Sequence, residues 1–494
     1  MKNRENLTKG VSCIQTSPSG AGGSMSSLYT SPFRGPGGFV STIQTSPSGV
    51  VDSLSSLFTS HFRGLVGFFC FLFLTLQLHA QTIGPNYLHR AIKQVTDVIV
   101  HDIYSPPVAA RIYAYTTIGG YEAGRFADGD YLSFAEQLHG LTKMPRPDAG
   151  KQYSFELASV NALLLVAKSM IISEEKIAVF RDEILSELKA SGMSADVFDN
   201  SIGFGNQIAA HISAWAAQDR YKETRSLSKY AVGKEAGSWK PTPPAYMKAI
   251  EPNWGKLRTF IIDSAQQFKP FPATPFSTDT TSMFYQEAKA VYDIGLQPTA
   301  EQVEVANFWD CNPFKMNING HVMIATKKIS PGGHWINITA LACKKSTAGF
   351  VKSAEAYACL SIAMADGFIS CWDEKFRSQV IRPETYINQY ISQSWMPLLQ
   401  TPPFPEYTSG HSVISAAASV MLTKIFGEHF DFADSTEVAF KIPVRYFKSF
   451  NQAAEEAAIS RFYGGIHYMP AIVNGVLEGN KLGSYIAGKL KTRK

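Results

Sequence analysis

Most of the signals that would place a chain quickly are missing from these 494 residues. Cysteines are few, and none stands in a CxxC pair or at a Cys/His spacing that suggests zinc, which excludes the common local zinc modules. Excess charge is missing too. The first 80 residues hold five Lys/Arg and two Asp/Glu, leaving 41 against 39 in the remainder, too even a balance to suggest a nucleic-acid partner. Alternating strand patterns with hairpin turns are scarce, which argues against a β-sandwich or barrel. Gly203-Phe204-Gly205 lacks the third glycine and the preceding strand of a dinucleotide-binding loop. The uncharged apolar run from Leu65 to Leu78 is short of the roughly 20 residues that a membrane-crossing helix needs.

That run does fit the apolar core of a secretory signal. Arg63 precedes it and His79-Ala80-Gln81 follows, so cleavage near Ala80 and a secreted or periplasmic product are expected. An uncleaved signal anchor holding the protein at a membrane is the alternative. Cys70 lies inside the run, not at its end, and does not read as a lipoprotein site. Upstream is a duplication: IQTSPSG at 14–20 returns at 43–49, and SLYTSPFRG at 27–35 returns as SLFTSHFRG at 56–64. Two Ser/Gly/Pro-rich copies cannot stack into a solenoid or close a core. Residues 1–64 are therefore expected to be disordered or to lie upstream of the true start, 65–80 to complete the signal, and 82–494 to form a single domain. Four cysteines fall in that domain, Cys311, Cys343, Cys359 and Cys371. They read either as disulfide partners, with three connectivities open, or as buried thiols.

Helical periodicity recurs along the domain. Leu88, Ile92, Val95 and Ile99 share one face, a second segment spans 108–123, and further helices are expected at 155–171, 175–190, 196–219, 281–294, 300–309, 349–370, 410–426 and 436–462. Gly192, Gly427 and Gly464-Gly465 stand where helices would end. Residues 222–280, rich in Pro and aromatics, read as a long loop wrapping the helices. The fold class is all-α.

The chemistry concentrates in the last third. Lys375 precedes Arg382-Pro383 by seven residues, Ser409-Gly410-His411 follows, and Ser460-Arg461 comes six residues before His467. Lysine and arginine bind oxyanions by charge-assisted hydrogen bonds, arginine with a bidentate fork. Ser409 and Gly410 open an apolar helix whose first amides can meet the same anion, and glycine has no Cβ to hold it off.

KFRSQVIRP at 375–383, TSGH at 408–411 and SRFYGGIH at 460–467 together resemble the three-part motif of the vanadium-dependent haloperoxidase and type 2 phosphatidic acid phosphatase superfamily. The resemblance implies paired four-helix bundles with an anion pocket at the end of the second. It makes Lys375, Arg382, Ser409, Gly410 and Arg461 the oxyanion-binding set, His467 the vanadium ligand, His411 the acid–base group, and Lys375 the group that polarises peroxide. Trp372 and Phe404 resemble the aromatics on the halide side of the pocket in fungal-type chloroperoxidases. The implied activity uses vanadate and hydrogen peroxide to oxidise halide to hypohalous acid, which reaches an organic acceptor. The alternative is an acid phosphatase without cofactor, taking a phosphate ester with His467 as nucleophile. A silent oxyanion-binding protein on the same fold is a third reading.

Two positions depart from the motif. Thr408 replaces the usual Pro, a mild change if it caps the helix, and Ala471 replaces the acidic residue that in the phosphatases orients the last histidine. A backbone carbonyl is expected to hold that imidazole instead, and Asp310 is a candidate support for one arginine. His334, in PGGHWINI, also resembles a segment of bacterial haloperoxidase-like proteins but has no assignable chemistry, while His89, His101 and His211 read as surface or core groups.

Overall fold

The computed structural model describes residues 83–319 and 322–494. The duplicated segment, the apolar run with Cys70 and the cleavage position at Ala80 lie outside the described residues. Helices α1 (Asn86–His101), α2 (Pro106–Gly124), α3 (Phe155–Lys168), α4 (Glu174–Ala190) and α5 (Ala195–Ala216) come first. After the expected wrapping loop come α6 (Met283–Leu296), α7 (Ala300–Phe308), a hairpin of β1 (Met316–Asn319) and β2 (Val322–Ala325), α8 (Pro331–Lys345), α9 (Phe350–Ser378) and α10 (Pro383–Tyr390). The remainder holds α11 (Gly410–Phe426), paired strands β3 (Phe432–Asp434) and β4 (Arg445–Phe447), α12 (Phe450–Tyr463) and α13 (Met469–Lys489).

Many of the helices start where a short hydroxyl side chain can accept a first-turn amide. Ser154, Ser194, Ser282, Ser330, Ser409 and Ser449 do so, and Thr299 forms a reciprocal box with Gln302. α2 and α3 pack together, with α5 against both and α1 and α4 flanking α3. The long α9 lies on α2 and also on α11, which packs in turn on α12 and α13, so α9 links two helical bundles. This is the expected all-α architecture. No helix among the described residues is long and apolar enough to cross a membrane.

The closest helix pair positions the site. Gly475, Gly479 and Gly483 recur every four residues on α13 and face α11. A Cβ on Gly475 would stand 2.9 Å from the Ser412 Cβ and 3.1 Å from the Ser409 carbonyl oxygen, one on Gly483 3.0 Å from the Ala417 Cα, and one on Gly479 would collide with the Val413 carbonyl. Backbone cannot step aside as a flexible side chain can, so the glycines set the distance at which α13 supports the first turns of α11. We expect Gly479→Val to destabilise the protein by ~3 kcal/mol, the upper end of ordinary overpacking. Denaturant unfolding with an unchanged midpoint would refute this.

The wrapping loop holds one helical turn (Tyr221–Thr224) and a 3₁₀ turn (Trp254–Lys256). Buried Asp366 of α9 pins it, accepting the N–H groups of Phe260, Ile261 and Ile262 at 2.6, 2.8 and 3.0 Å. Burial raises that carboxyl to about 6 despite the three donors.

Several expectations need correction. The helix expected over 436–462 begins only at Phe450, because Pro443 breaks the helical pattern and the chain forms a 3₁₀ turn and β4 before it. α9 continues beyond 370 to Ser378 and so carries Trp372 and Lys375. Helices α8, α10 and α13 were not anticipated. Of the two readings open for the four cysteines, the structure shows buried free thiols.

Candidate oxyanion site

Four chain segments meet at one end of the second bundle. α9 carries Trp372 and Lys375, and Arg382 is the residue from which α10 starts. Phe404 and Glu406 lie on the connection to α11, whose first turn holds Gly410 and His411 after the Ser409 cap. α12 carries Arg461 in its last turn, and Gly465, at φ +75°, turns the chain toward His467. The left-handed conformation needed there is one that glycine adopts without strain.

A cavity of about 30 Å³ opens among Trp372, Phe404, Gly410, His411, Arg461 and His467. Lys375, Arg382 and Ser409 are not among the bordering residues, although Arg382 lies directly against His467, which is. Arg382 donates from Nε to the Phe404 carbonyl (2.9 Å) and from Nη1 to the Ile466 carbonyl (2.8 Å), with His467 Nε2 3.2 Å from the same Nη1. Arg461 donates from Nη1 to the Trp309 carbonyl at 2.7 Å. The N–H groups of Gly410 and His411 have no partner within their helix, as at any helix start. Three buried side-chain atoms also lack a hydrogen-bond partner: Arg382 Nη2, Arg461 Nε and His411 Nε2. Buried polar atoms are rarely left so; Arg461 and His411 border the cavity and Arg382 lies against His467, and two charged donors with an imidazole nitrogen at one site fit a tetrahedral oxyanion.

The electrostatics agree. Lys375, Arg382 and Arg461 bring three buried positive charges. Burial lowers the Lys375 ammonium to about 8 and the Arg382 guanidinium to about 10, with Glu406 pulling both back up. Burial lowers Arg461 as well, opposed by Asp310 and Cys311. Both histidines are held well below their usual 6.5 and are neutral, His467 by burial and then Arg382 and Lys375, His411 by burial and then Arg461. Burying an anion among these cations lowers the penalty of leaving them uncompensated.

Lys375 departs from the expected role. Its three N–H donors go to the carbonyls of Pro405, Glu406 and Thr408. It ties down the strap before α11 and acts on the pocket as a fixed charge, with no donor left for peroxide. Thr408 does not cap α11, since Ser409 does; its hydroxyl instead donates to Glu478 at 2.9 Å. Asp310 pairs with Lys328 at 2.6 Å and is no direct arginine partner.

Sequence reasoning missed Glu406. Its Oε1 lies 2.7 Å from His467 Nδ1 and also accepts the Tyr468 N–H at 3.0 Å. The carboxylate looked for at 471 is thus supplied from the strap, three residues before Ser409, and no carbonyl is needed. The Ala471 carbonyl instead accepts the Ser409 N–H at 3.1 Å. This arrangement assigns the His467 proton to Nδ1 and turns the Nε2 lone pair away from Glu406. Trp372 and Phe404 do come together at the cavity, their ring centroids 4.9 Å apart.

Comparison with known proteins places the chain in a family. The family described as VCPO second helical-bundle domain matches residues 355–493. Among solved structures, a bacterial vanadium-dependent iodoperoxidase is 47% identical, with a TM-score of 0.78 over 83% of this chain and 98% of its own. A bacterial vanadium-dependent chloroperoxidase in its holo form shares 13% identity at a TM-score of 0.58, over 79% of this chain and 94% of that one. Its apo form shares 14% at 0.59, over 78% and 94%. At such low identity the chloroperoxidases show a common fold alone. No curated protein matches.

Proposed function

Because this chain belongs to the vanadium-dependent haloperoxidases, we propose that the buried cradle holds vanadate and that iodide is its halide. The protein is an enzyme that uses hydrogen peroxide to oxidise halide. The observation that carries the site assignment is the convergence of unpartnered Arg382 Nη2, Arg461 Nε and His411 Nε2 beside His467. Vanadate, when bound, supplies a Lewis-acid centre that activates peroxide.

The residues divide the remaining work. Arg382, Arg461 and the first amides of α11 hold the oxygens, and His467 offers the Nε2 lone pair that Glu406 turns outward. His411, neutral, takes or returns a proton at Nε2 next to the reacting oxygens. Trp372 and Phe404 keep water from the halide side. Iodide is the least strongly hydrated of the common halides and gives up least on meeting that apolar wall, in line with the iodoperoxidase likeness. About 30 Å³ is space for little more than two water molecules. An organic acceptor is therefore halogenated outside the cavity, by hypohalous acid that leaves it.

The test is peroxide-dependent iodination and bromination by the purified full chain, with and without orthovanadate, beside p-nitrophenyl phosphate hydrolysis. Iodination that needs vanadate and exceeds bromination is expected. Phosphate-ester hydrolysis blocked by vanadate, with no halogenation, would move the protein to the phosphatase reading.

Glu406 supplies a second check. Burial raises its carboxyl to about 7, with Arg382 and Lys375 pulling the other way. We expect Glu406→Gln to weaken vanadate binding ~10–100-fold, the usual loss when a metal ligand's supporting carboxylate goes. The sign of the pH effect follows from linkage. Between the ordinary value of 4.5 and about 7 the native state binds the extra proton, so this group's contribution to stability falls as pH rises through that window. The glutamine variant lacks the contribution, so its stability relative to wild type should rise across the same window and level off above it. A constant difference in unfolding free energy with pH would contradict the raised carboxyl.

A further inference from the structure

Beside the oxyanion cradle lies a second group of buried side chains that the proposed reaction does not use. Cys311, which borders the cavity, His334 on α8 and Glu437 before the 3₁₀ turn at Val438–Phe440 place Sγ, Nδ1 and a carboxylate oxygen within 4.8 Å of one another. Sγ is 3.4 Å from Nδ1, and Nδ1 is 3.2 Å from Glu437 Oε1. Bond lengths of ~2.3 Å to sulfur and ~2.0 Å to nitrogen and oxygen put tetrahedral zinc ligands about 3.5 Å (S to N) and 3.3 Å (N to O) apart. The observed spacings are close to these.

Two further observations point to a ligand. Glu437 is buried, and its Oε1 has no hydrogen-bond partner. The other imidazole nitrogen, His334 Nε2, lies 2.8 Å from Asp434 Oδ2, and the other carboxylate oxygen, Oδ1, accepts the Thr436 N–H at 2.9 Å. A carboxylate on the far nitrogen is the usual support of a metal-bound histidine, since it keeps the proton there and leaves the near nitrogen's lone pair free. Trp309 stacks on the imidazole at 4.5 Å between centroids and locks the ring's plane.

We propose that Cys311, His334 and Glu437 form a site for one divalent cation of the zinc class, with Asp434 as the positioning residue. Sulfur, nitrogen and oxygen in one set favour such a borderline ion over calcium or magnesium, which take oxygen. Binding forms three bonds to the cation and releases two protons to solvent, one from the Cys311 thiol and one from Nδ1 of His334, whose imidazole, despite its burial, the neighbouring Asp434 holds protonated in the metal-free protein. Three protein ligands leave a fourth position for water. The ion would also stiffen the oxyanion cradle: Trp309, two residues before Cys311, offers the carbonyl that Arg461 Nη1 contacts. The site does not depend on the halogenation reading, and its metal content is measured without turnover.

The experiment uses the full chain and zinc alone, then cobalt alone. After exhaustive dialysis, elemental analysis should find about one zinc per chain. Cobalt in its place should give a thiolate-to-metal charge-transfer band, a signature that a merely structural hydrogen-bond network lacks. Cys311→Ser should lose the band and the zinc. Asp434→Asn should keep both, with zinc affinity ~10–100-fold lower. Wild-type chain that retains no stoichiometric zinc and shows no such band overturns the site without recourse to any variant. Zinc held equally by Cys311→Ser and by wild type would place the ion elsewhere and overturn it too.

Discussion

His467→Ala should abolish vanadate-dependent iodide oxidation, with a loss well beyond the ~100-fold that follows removal of a merely supporting partner. Two features make this the most damaging single change in the site. The imidazole is neutral and buried, with its Nδ1 proton committed to Glu406 at 2.7 Å, so Nε2 is unprotonated, accepts from Arg382 Nη1 at 3.2 Å, and is fixed in direction before any anion arrives. In the proposed reading it is also the nitrogen that would hold the anion's central atom, and neither Arg382 nor Arg461 offers a lone pair in its place. The measurement is vanadate titration of the variant, followed by iodination at saturating vanadate. If the variant iodinates at the wild-type rate once saturated, His467 is not the ligand. His411→Ala separates the two histidines. It should keep vanadate affinity close to wild type and lose ~10²–10⁴-fold in turnover, the range for a removed acid–base group.

A tetrahedral oxyanion should stabilise the whole fold. Lys375, Arg382 and Arg461 are buried cations, and the two buried carboxylates that act on Lys375, Glu406 and Glu478, are each raised to about 7 and so compensate only in part. Any anion that binds the native state alone adds RT ln(1 + [L]/Kd), about 4 kcal/mol at a thousandfold excess over Kd. Orthovanadate should therefore raise the thermal midpoint markedly, and inorganic phosphate, of the same shape, should raise it too. Arg461→Ala should remove most of the shift, because its Nε is one of the unpartnered donors at the cavity. A midpoint indifferent to both anions would mean that the cradle is satisfied without one, and the assignment of the site would fail with it.

Reading the chain without its fold reached the cradle but not its supports. The motif residues sit at helix ends, where short spacing and chemistry are both visible: a lysine seven before an arginine, a serine opening an apolar helix, a histidine after two glycines. Glu406 is not legible in the sequence because the motif's orienting acid falls downstream of the last histidine, at Ala471 here, whereas the strap before α11 delivers one from 61 residues upstream. The resemblance gives Lys375 the task of polarising peroxide, and only the three carbonyls that converge on it show where its donors go. α13 was passed over for a related reason. Its glycines lower intrinsic helix propensity, and packing against α11 is what makes them favourable.

By itself, the amino-acid order determined the class of the protein: helical periods set the all-α fold, and three basic groups with two histidines at fixed offsets set an oxyanion chemistry. Those are local properties, governed by period, caps and residue type, and they survive without knowledge of neighbours. Tertiary structure alone decided which carboxylate orients His467, which cation is free to donate, and which cysteine meets which histidine. Cys311 and His334 lie 23 residues apart, and His334 and Asp434 lie 100 apart. No spacing rule links them, because the distance between those side chains is set by helix packing, in which one glycine face against one backbone decides where every attached group comes to rest.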